Sequence, residues 1–254
     1  MAAELIHDAT LLHDDVIDDG TARRGLDAAR VLWGNTVSVL SGDLLFVAAL
    51  QATAAGGPPC ALPELLDAVG QMVEGEVIQF RHRGCLDLDL DTYEEIVDKK
   101  TAGLFRWCAR AGALAGGGAP EQVDALGRYG RHVGIAFQIR DDVLDLTADP
   151  AVLGKSLGAD LAEGKLTLPL LLALEVRPQL RPVLAELSRP GAPLRLGAVR
   201  KVAAAVKQTG SLDAARERMH LELEQALASL PRLEPSPSVR VLATIAEVVA
   251  DRDR

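Results

Sequence analysis

Residues 4–25 read ELIHDATLLHDDVIDDGTARRG and place a cluster of aspartates at the end of an apolar segment. If the part before Gly20 is helical, Asp14 and Asp18 lie one turn apart on one face, and Asp15 is turned about 100° from Asp14. Like charges at this spacing repel each other, so a helix accepts them more readily beside a cation. Carboxylates that share a metal with waters and phosphate oxygens suit Mg²⁺. The stretch therefore predicts a magnesium site.

A second aspartate cluster strengthens this interpretation, because one such cluster in a chain with 36 acidic residues is usually a solvated helix face. Asp141, Asp142 and Asp145 repeat the spacing inside the apolar segment 133–146. Basic residues follow each cluster, and guanidinium and ammonium groups can hold the phosphate oxygens that metals do not reach. These basic residues are Arg23 and Arg24 after the first cluster, and Lys155 and Lys165 after the second.

Composition and charge narrow the class of protein. A chain of 254 residues with 48% hydrophobic content and no linker-like segment predicts a single domain over residues 1–254. The net charge of −9 argues against nucleic acid or an anionic membrane surface as the partner. The cysteines are odd in number and widely spaced, which fits reduced thiols in the cytoplasm. We find neither a basic leader nor an uninterrupted apolar run of roughly 18 residues, and so expect no integral membrane segment.

The secondary structure is predicted to be helical throughout, because alanine and leucine dominate and strict alternation of apolar and polar residues is scarce. Thr92 and Glu95 have the spacing of a capping box. Both aspartate clusters fall near the C-terminal ends of predicted helices, where the helix dipole disfavours anions and a bound cation would stabilise them. The helices are predicted near 2–17, 35–55, 63–82, 92–115, 120–147, 168–177, 196–208, 211–230 and 238–251.

The order of the motifs resembles that of the trans-isoprenyl diphosphate synthases, and most closely that of the long-chain polyprenyl members. The resemblance covers residues 4 to about 176 and implies an all-α, isoprenoid-synthase-type helical bundle around a deep central cavity, with the acidic motifs facing each other at its mouth. The motifs that carry it are residues 7–25, Gly42-Asp43, Lys100-Thr101, FQIRDD at 137–142, Gly154-Lys155 and GKLTLP at 164–169.

The implied reaction joins isopentenyl diphosphate to an allylic diphosphate. Mg²⁺ assists loss of the allylic diphosphate group, isopentenyl diphosphate attacks the resulting cation, and a proton is lost. By similarity, Asp14, Asp18 and Asp141 would bind Mg²⁺ directly, supported by Asp15, Asp142 and Asp145. The residues implied around the allylic diphosphate are Arg23, Lys100, Gln138, Lys155 and Lys165, with Thr101 close to the reacting carbon and with His7 and Arg24 facing isopentenyl diphosphate.

Product length in this family depends on the residues one turn before the first acidic motif. Bulky aromatic side chains there stop the growing chain early, whereas this sequence has Ala9 and Thr10. The resemblance therefore implies a product longer than farnesyl and geranylgeranyl diphosphate. It also implies a homodimer.

One feature departs from the family pattern. Its members usually begin with two further helices, joined by a loop that carries a Gly-Gly-Lys-Arg-x-Arg-Pro-like motif for isopentenyl diphosphate. Residues 1–254 contain no such motif. We therefore expect a bundle that lacks the first two helices. Three explanations stay open: residue 1 is not the true start, the site for the second substrate is impaired, or a partner supplies the missing part.

Several alternatives stay open at this point. One is a synthase of geranylgeranyl length, and another is a non-catalytic subunit that regulates an active synthase. A di-iron carboxylate protein would use the Glu-x-x-His pairs Glu4/His7 and Glu217/His220, but it leaves the aspartate clusters unexplained. A class I terpene cyclase would share the first acidic motif, but its second metal motif is normally of an Asn/Ser/Glu type.

Overall fold

The computed structural model describes residues 1–23, 25–147, 157–189, 196–230, 233 and 235–251. These residues form two compact units. The first contains Met1–Leu66, and the second contains the described residues from Asp67 onward. The single domain predicted from the sequence stays a prediction.

The first unit is built on two long helices and a small hairpin. Helix α1 is Ala2–Ile17 and packs along α3, Asn35–Gly56. Between them lie an antiparallel hairpin and a short helix. These are strands β1 (Ala22–Arg23) and β2 (Leu26–Asp27), in which Arg23 is opposite Leu26, followed by α2 (Ala29–Trp33).

The α1–α3 contact is made by polar groups as well as by close packing. The Ser38 hydroxyl donates to the Leu12 carbonyl at 2.9 Å, and His13 Nε2 lies 3.0 Å from the Val39 carbonyl. The same imidazole lies over Gly42, where an added Cβ would collide with the ring. Gly42 therefore permits the close approach of the two helices.

The second unit is a bundle around one long helix. Its elements in chain order are α4 (Ala61–Arg81, which begins before the unit boundary), α5 (Leu90–Val97), a π-helical turn (Asp98–Ala102), α6 (Gly103–Ala115), α7 (Pro120–Thr147), α8 (Ala159–Ala162), α9 (Leu168–Val176), a 3₁₀ turn (Pro178–Leu180), α10 (Arg181–Leu187), α11 (Leu196–Gln208), α12 (Ser211–Ser229) and α13 (Pro237–Asp251). Helix α7 packs against both α6 and α12. Its buried Val133, Ile139 and Val143 belong to the main core, together with the apolar α9.

The all-α class predicted from the sequence is confirmed, and the predicted helices agree with those observed to within a few residues. The predicted capping box at Thr92 is wrong: Asp89 caps α5, and its carboxylate accepts from the Thr92 N–H at 2.8 Å. The prediction also missed the hairpin, the short helices α2, α8 and α10, and the π-helical turn that divides the predicted helix 92–115.

Helix α3 differs from the expectation that no segment is long and apolar enough to span a membrane. Among the described residues, this 22-residue helix alone meets the criterion by length and composition, with a mean hydropathy of 1.6 over its most apolar 18 residues. Its apolar residues do not form an uninterrupted run, because Ser38, Ser41 and Asp43 lie among them. A single helix of this kind is weak evidence for a membrane span, since core helices and signal sequences meet the same criterion.

We expect Gly42→Ala to lower the free energy of unfolding by about 1–3 kcal/mol, because the new methyl group must displace His13 from its contact with Val39. The matched control is Gly56→Ala in the same helix, where an added Cβ meets nothing within 4 Å. That change should leave stability unchanged or raise it by up to about 1 kcal/mol. Urea unfolding followed by circular dichroism measures both, and equal effects would contradict the close α1–α3 contact.

Candidate active site

The first aspartate cluster lies at the C-terminal end of α1. The helix ends at Ile17, and Asp18 is its C-cap, with its N–H bonded to the Asp14 carbonyl. Asp14 and Asp18 are half-buried. The helix dipole places partial negative charge at this end, so the position of the carboxylates favours a nearby cation, as the sequence predicted.

Asp15 has a different role from its neighbours, because it is buried and forms an ion pair with Arg23. Arg23 Nη2 lies 2.8 Å from Asp15 Oδ1, and Arg23 Nε lies 3.1 and 3.3 Å from the two carboxylate oxygens. This bidentate ion pair holds the β1–β2 hairpin against the end of α1. A guanidinium has five N–H donors, so Arg23 keeps donors for a further ligand.

Arg30 is a structural residue of this segment that the sequence analysis missed. Its guanidinium donates to Asp19 at 2.8 Å, to the Gly20 carbonyl at 3.2 Å and to Asn35 at 3.1 Å. It thereby ties the turn after the first aspartate cluster to the start of α3. Arg30 lies in a run with no recognisable motif, so only its three-dimensional contacts reveal this role.

The other predicted residues of α1 lie upstream of the aspartates. His7 is exposed, and its carbonyl accepts a hydrogen bond from the Thr10 hydroxyl at 2.7 Å. Ala9 is fully buried and Thr10 is half-buried. His13, considered structural, contacts α3 as described above.

The second aspartate cluster is centred on the buried carboxylate of Asp142, which is 2% exposed. It accepts hydrogen bonds from the Tyr93 hydroxyl at 2.7 Å, from Gln138 Nε2 at 3.0 Å and from the Leu168 N–H at 3.1 Å. Burial raises the pKa of Asp142 to about 7, although the bonds from Gln138 and Tyr93 act in the opposite direction. The three hydrogen bonds of Asp142 join α5, α7 and α9.

Tyr93 was missed by the sequence analysis. Burial first, and then the adjacent charge of Asp142, raise the pKa of its phenol well above the usual range, so Tyr93 acts as a hydrogen-bond donor. A chain of hydrogen bonds continues from Asp142 to Gln138, which accepts from the Thr101 hydroxyl at 2.9 Å. Thr101 and Gln138, two predicted site residues, are thus joined directly.

Asp141 and Asp145 flank this buried carboxylate. Asp141 is exposed. Asp145 Oδ1 accepts a long bond of 3.4 Å from the Asp160 N–H, and its Oδ2 is buried without a hydrogen-bond partner among the described residues. Burial and then the charge of Asp160 raise the pKa of Asp145 well above its usual range.

A small cavity of about 90 Å³ gathers several predicted residues of the second unit. Lys100, Thr101, Gln138, Asp142 and Lys165 all line it. The residues of its lining that the sequence analysis did not single out include Gln79, His82, Tyr93 and Asp160.

The two lysines of the cavity are held by neighbouring side chains. Lys100 Nζ forms an ion pair with Glu76 and donates to Gln79 Oε1 at 2.8 Å. Lys165 Nζ donates to Glu163 Oε2 at 2.6 Å. The structure therefore fixes two ammonium groups beside the hydrogen-bonded chain of Thr101, Gln138 and Asp142.

The aspartates fit a metal that relies partly on its ligand. Among the described residues there is no group of three or more His, Cys, Asp or Glu side chains arranged to hold a metal ion. Mg²⁺ often binds through one or two carboxylates together with waters and substrate phosphates, and the half-buried Asp14 and Asp18 and the exposed Asp141 suit that mode. Arg24 and Lys155, two further predicted residues, lie outside the described residues.

Comparisons with known proteins agree with this chemistry. The polyprenyl synthetase family profile matches residues 1–206. The chain is 38% identical over 252 residues to octaprenyl diphosphate synthase of Escherichia coli K12, covering 99% of this chain and 77% of that protein. It is also 38% identical over 259 residues to a short chain isoprenyl diphosphate synthase of Methanothermobacter thermautotrophicus, covering 99% and 78%.

A solved structure gives the same result for the fold. The chain resembles a Caulobacter crescentus polyprenyl synthase, crystallised with calcium and isoprenyl diphosphate, with a TM-score of 0.94 and 35% identity. The match covers 100% of this chain and 77% of that one.

We expect Asp142→Ala to lower the free energy of unfolding by about 3 kcal/mol or more, because it leaves three buried donors without an acceptor at a cost of about 1–3 kcal/mol each. Asp141→Ala, at the exposed neighbouring position, should change stability by no more than about 0.5 kcal/mol. Chemical denaturation of the two variants measures the difference. An Asp142→Ala protein as stable as Asp141→Ala would show that this carboxylate does not organise the three helices.

Proposed function

The chain belongs to the polyprenyl synthetase family and is a prenyltransferase, and we propose that it elongates an allylic diphosphate with isopentenyl diphosphate to a long-chain all-trans polyprenyl diphosphate. The observation that carries this proposal is the cavity in which Lys100, Thr101 and Gln138 lie together beside Asp142. Its lysines suit an anionic group, and its polar chain can orient a leaving group.

The proposal takes both aspartate clusters to act on one diphosphate. Asp14, Asp18 and Asp141 would hold Mg²⁺, while Asp15, Asp142 and Asp145 support them from more buried positions. When bound, Mg²⁺ neutralises charge that develops on the departing diphosphate. The equal spacing of the two clusters and the predominance of exposed or half-buried aspartates in the direct role support this division.

The basic residues complete the proposed allylic site. Lys100 and Lys165 are already fixed at the cavity, and Arg23 is oriented by Asp15. Donors oriented before the reaction stabilise developing negative charge without reorganising, which is the largest contribution in many enzymes. Lys155 would join them. His7 and Arg24 would face isopentenyl diphosphate, and the exposure of His7 is compatible with that contact.

Product length follows from the small residues before the first cluster. Ala9 and Thr10 leave no aromatic barrier one turn above Asp14, so we propose a product beyond the geranylgeranyl stage. The second candidate is a synthase with a shorter product. It is favoured by the 38% identity to a relative named for short chains, which equals the identity to the octaprenyl synthase.

Assembly as a homodimer is the second part of the proposal. Four apolar side chains of α3 are 47–69% exposed, and their spacing of three and four residues places them on one helix face: Val37, Leu40, Leu44 and Val47. A continuous exposed apolar stripe of this kind marks an interaction surface. We propose that a second copy covers it. A cytoplasmic location is also proposed, and it fits the three free cysteines.

We expect the purified chain to extend farnesyl or geranylgeranyl diphosphate with labelled isopentenyl diphosphate only when Mg²⁺ is present. Asp14→Ala should lower the rate by at least about 100-fold, because a ligand of the metal that stabilises the leaving group is lost. Asp27→Ala, an exposed aspartate on β2, should retain the rate. Chromatography of the products gives both the rate and the chain length.

The outcomes of this assay separate the candidates. Products that stop at the geranylgeranyl stage support the shorter synthase. Mg²⁺-dependent binding of farnesyl diphosphate without turnover indicates the regulatory subunit. Elongation that survives Asp14→Ala, or an absence of any diphosphate binding, contradicts the proposed site.

We expect Leu44→Glu to convert the dimer to a monomer, since it places a charge in the centre of the α3 stripe. Leu221→Glu on α12, where the leucine is 54% exposed, is the matched control and should leave the assembly unchanged. Size-exclusion chromatography with light scattering reports the mass. The same assembly state for wild type and Leu44→Glu would show that the α3 stripe is not the interface.

A further inference from the structure

We propose that the π-helical turn Asp98–Ala102 is clamped between α4 and α7 so that Lys100 and Thr101 face the allylic diphosphate, which makes Gly75, Gly134 and Arg131 positioning residues. The inference rests on the proposed function, because that function assigns the diphosphate to Lys100 and Thr101. None of the three positioning residues is itself among the proposed ligands.

The turn changes the direction in which a long helix presents its side chains. Helices α5 and α6 continue into each other through residues 98–102, and the Gly103 N–H bonds to the Asp98 carbonyl, five residues back. One residue more per turn rotates the following side chains by about 100° relative to an uninterrupted α-helix. A π-helical turn is rare and is frequently found at functional sites. Its presence here calls for contacts that hold it.

Helix α4 holds the turn from one side. A Cβ at Gly75 would lie 2.8 Å from the Lys100 backbone nitrogen, so glycine lets α4 touch the backbone of the turn itself. The next residues of α4 act on the side chain, since Glu76 pairs with Lys100 Nζ and Gln79 accepts from it at 2.8 Å. Lys99 is directed away, toward Glu74 and Glu95 at 3.1 and 2.8 Å.

Helix α7 holds the turn from the other side through residues on one face at positions 131, 134 and 138. Arg131 Nε donates to Asp98 Oδ1 at 2.6 Å, at the start of the turn. A Cβ at Gly134 would lie 2.7 Å from the Ala102 Cα, at its end. Gln138 accepts from the Thr101 hydroxyl at 2.9 Å. Both ends of the turn and one of its functional side chains are therefore fixed by a single helix face.

The first experiment compares Gly75→Ala with Gly70→Ala. Both change a glycine of α4, but a Cβ at Gly70 meets nothing within 4 Å, so this variant controls for helix propensity. We expect Gly75→Ala to raise the KM for the allylic diphosphate by about tenfold or more, because the Lys100 backbone must move by a few tenths of an ångström or more. The KM for isopentenyl diphosphate should change by less than about twofold, and Gly70→Ala should match wild type.

A second pair of variants weakens a contact without enlarging a side chain, in case Gly75→Ala does not fold. Asp98→Asn weakens the half-exposed ion pair with Arg131, whereas Asp124→Asn weakens the comparable pair Arg110–Asp124 between α6 and α7, at 2.8 Å and away from the turn. We expect Asp98→Asn to raise the allylic KM by about threefold and Asp124→Asn to leave it unchanged. Amide hydrogen exchange of residues 98–103 should be faster in Asp98→Asn alone.

The results separate this inference from the proposed function. Wild-type protein that neither elongates nor binds an allylic diphosphate overturns the function, whereas hydrogen exchange still decides whether the clamp exists. Active Gly75→Ala and Asp98→Asn proteins with wild-type KM values and wild-type exchange overturn the clamp. A lower kcat with both KM values and the amide exchange of residues 98–103 unchanged also overturns it, because that is the result of a smaller folded fraction.

Discussion

The buried carboxylate of Asp142 is the interaction on which the rest of the second unit depends. It brings together donors from α5, α7 and the start of α9. A carboxylate in such a place is costly unless its oxygens are bonded, and the raised pKa of Asp142 shows that burial outweighs its donors. Gln138 donates to Asp142 and accepts from the Thr101 hydroxyl. Asp142 therefore orients the Thr101 hydroxyl at the cavity through Gln138, without having to contact the ligand itself.

In both aspartate clusters, the first and second aspartates differ in burial and in role. In each, the second residue is buried and bonded to protein groups: Asp15 to Arg23, and Asp142 to Tyr93, Gln138 and Leu168. The first residue is more exposed in both. A step of one residue along a helix turns the side chain by about 100°, so adjacent aspartates cannot face the same way. The repeated spacing therefore places one carboxylate inward as a support and leaves its neighbour available.

Local sequence patterns were sufficient for the long helices, whereas the resemblance to a known family was needed to assign roles to five of the residues that line the cavity. The extents of α1, α7 and α11 follow from apolar periodicity and from Gly or Pro at their ends, which act within a few residues. The missed features depend on contacts that the spacing of apolar residues does not specify. The π-helical turn needs Gly75 and Gly134, Tyr93 is 49 residues from Asp142, and Arg30 gains its role from Asp19, Gly20 and Asn35. The capping box failed because Asp89 competes for the same N–H.

The pairing of the basic residues has a consequence for how an anionic ligand binds. Each described cation of the proposed allylic site already has a carboxylate partner: Arg23 with Asp15, Lys100 with Glu76, and Lys165 with Glu163. These pairs orient the cations, but they also cancel much of the positive charge that the cations would offer, in a chain whose net charge is −9. These side chains therefore orient a bound diphosphate more than they neutralise its negative charge. For the part of the site that the structure describes, a divalent cation bound with the diphosphate would supply the compensating charge, which supports the requirement for Mg²⁺ in the proposed function.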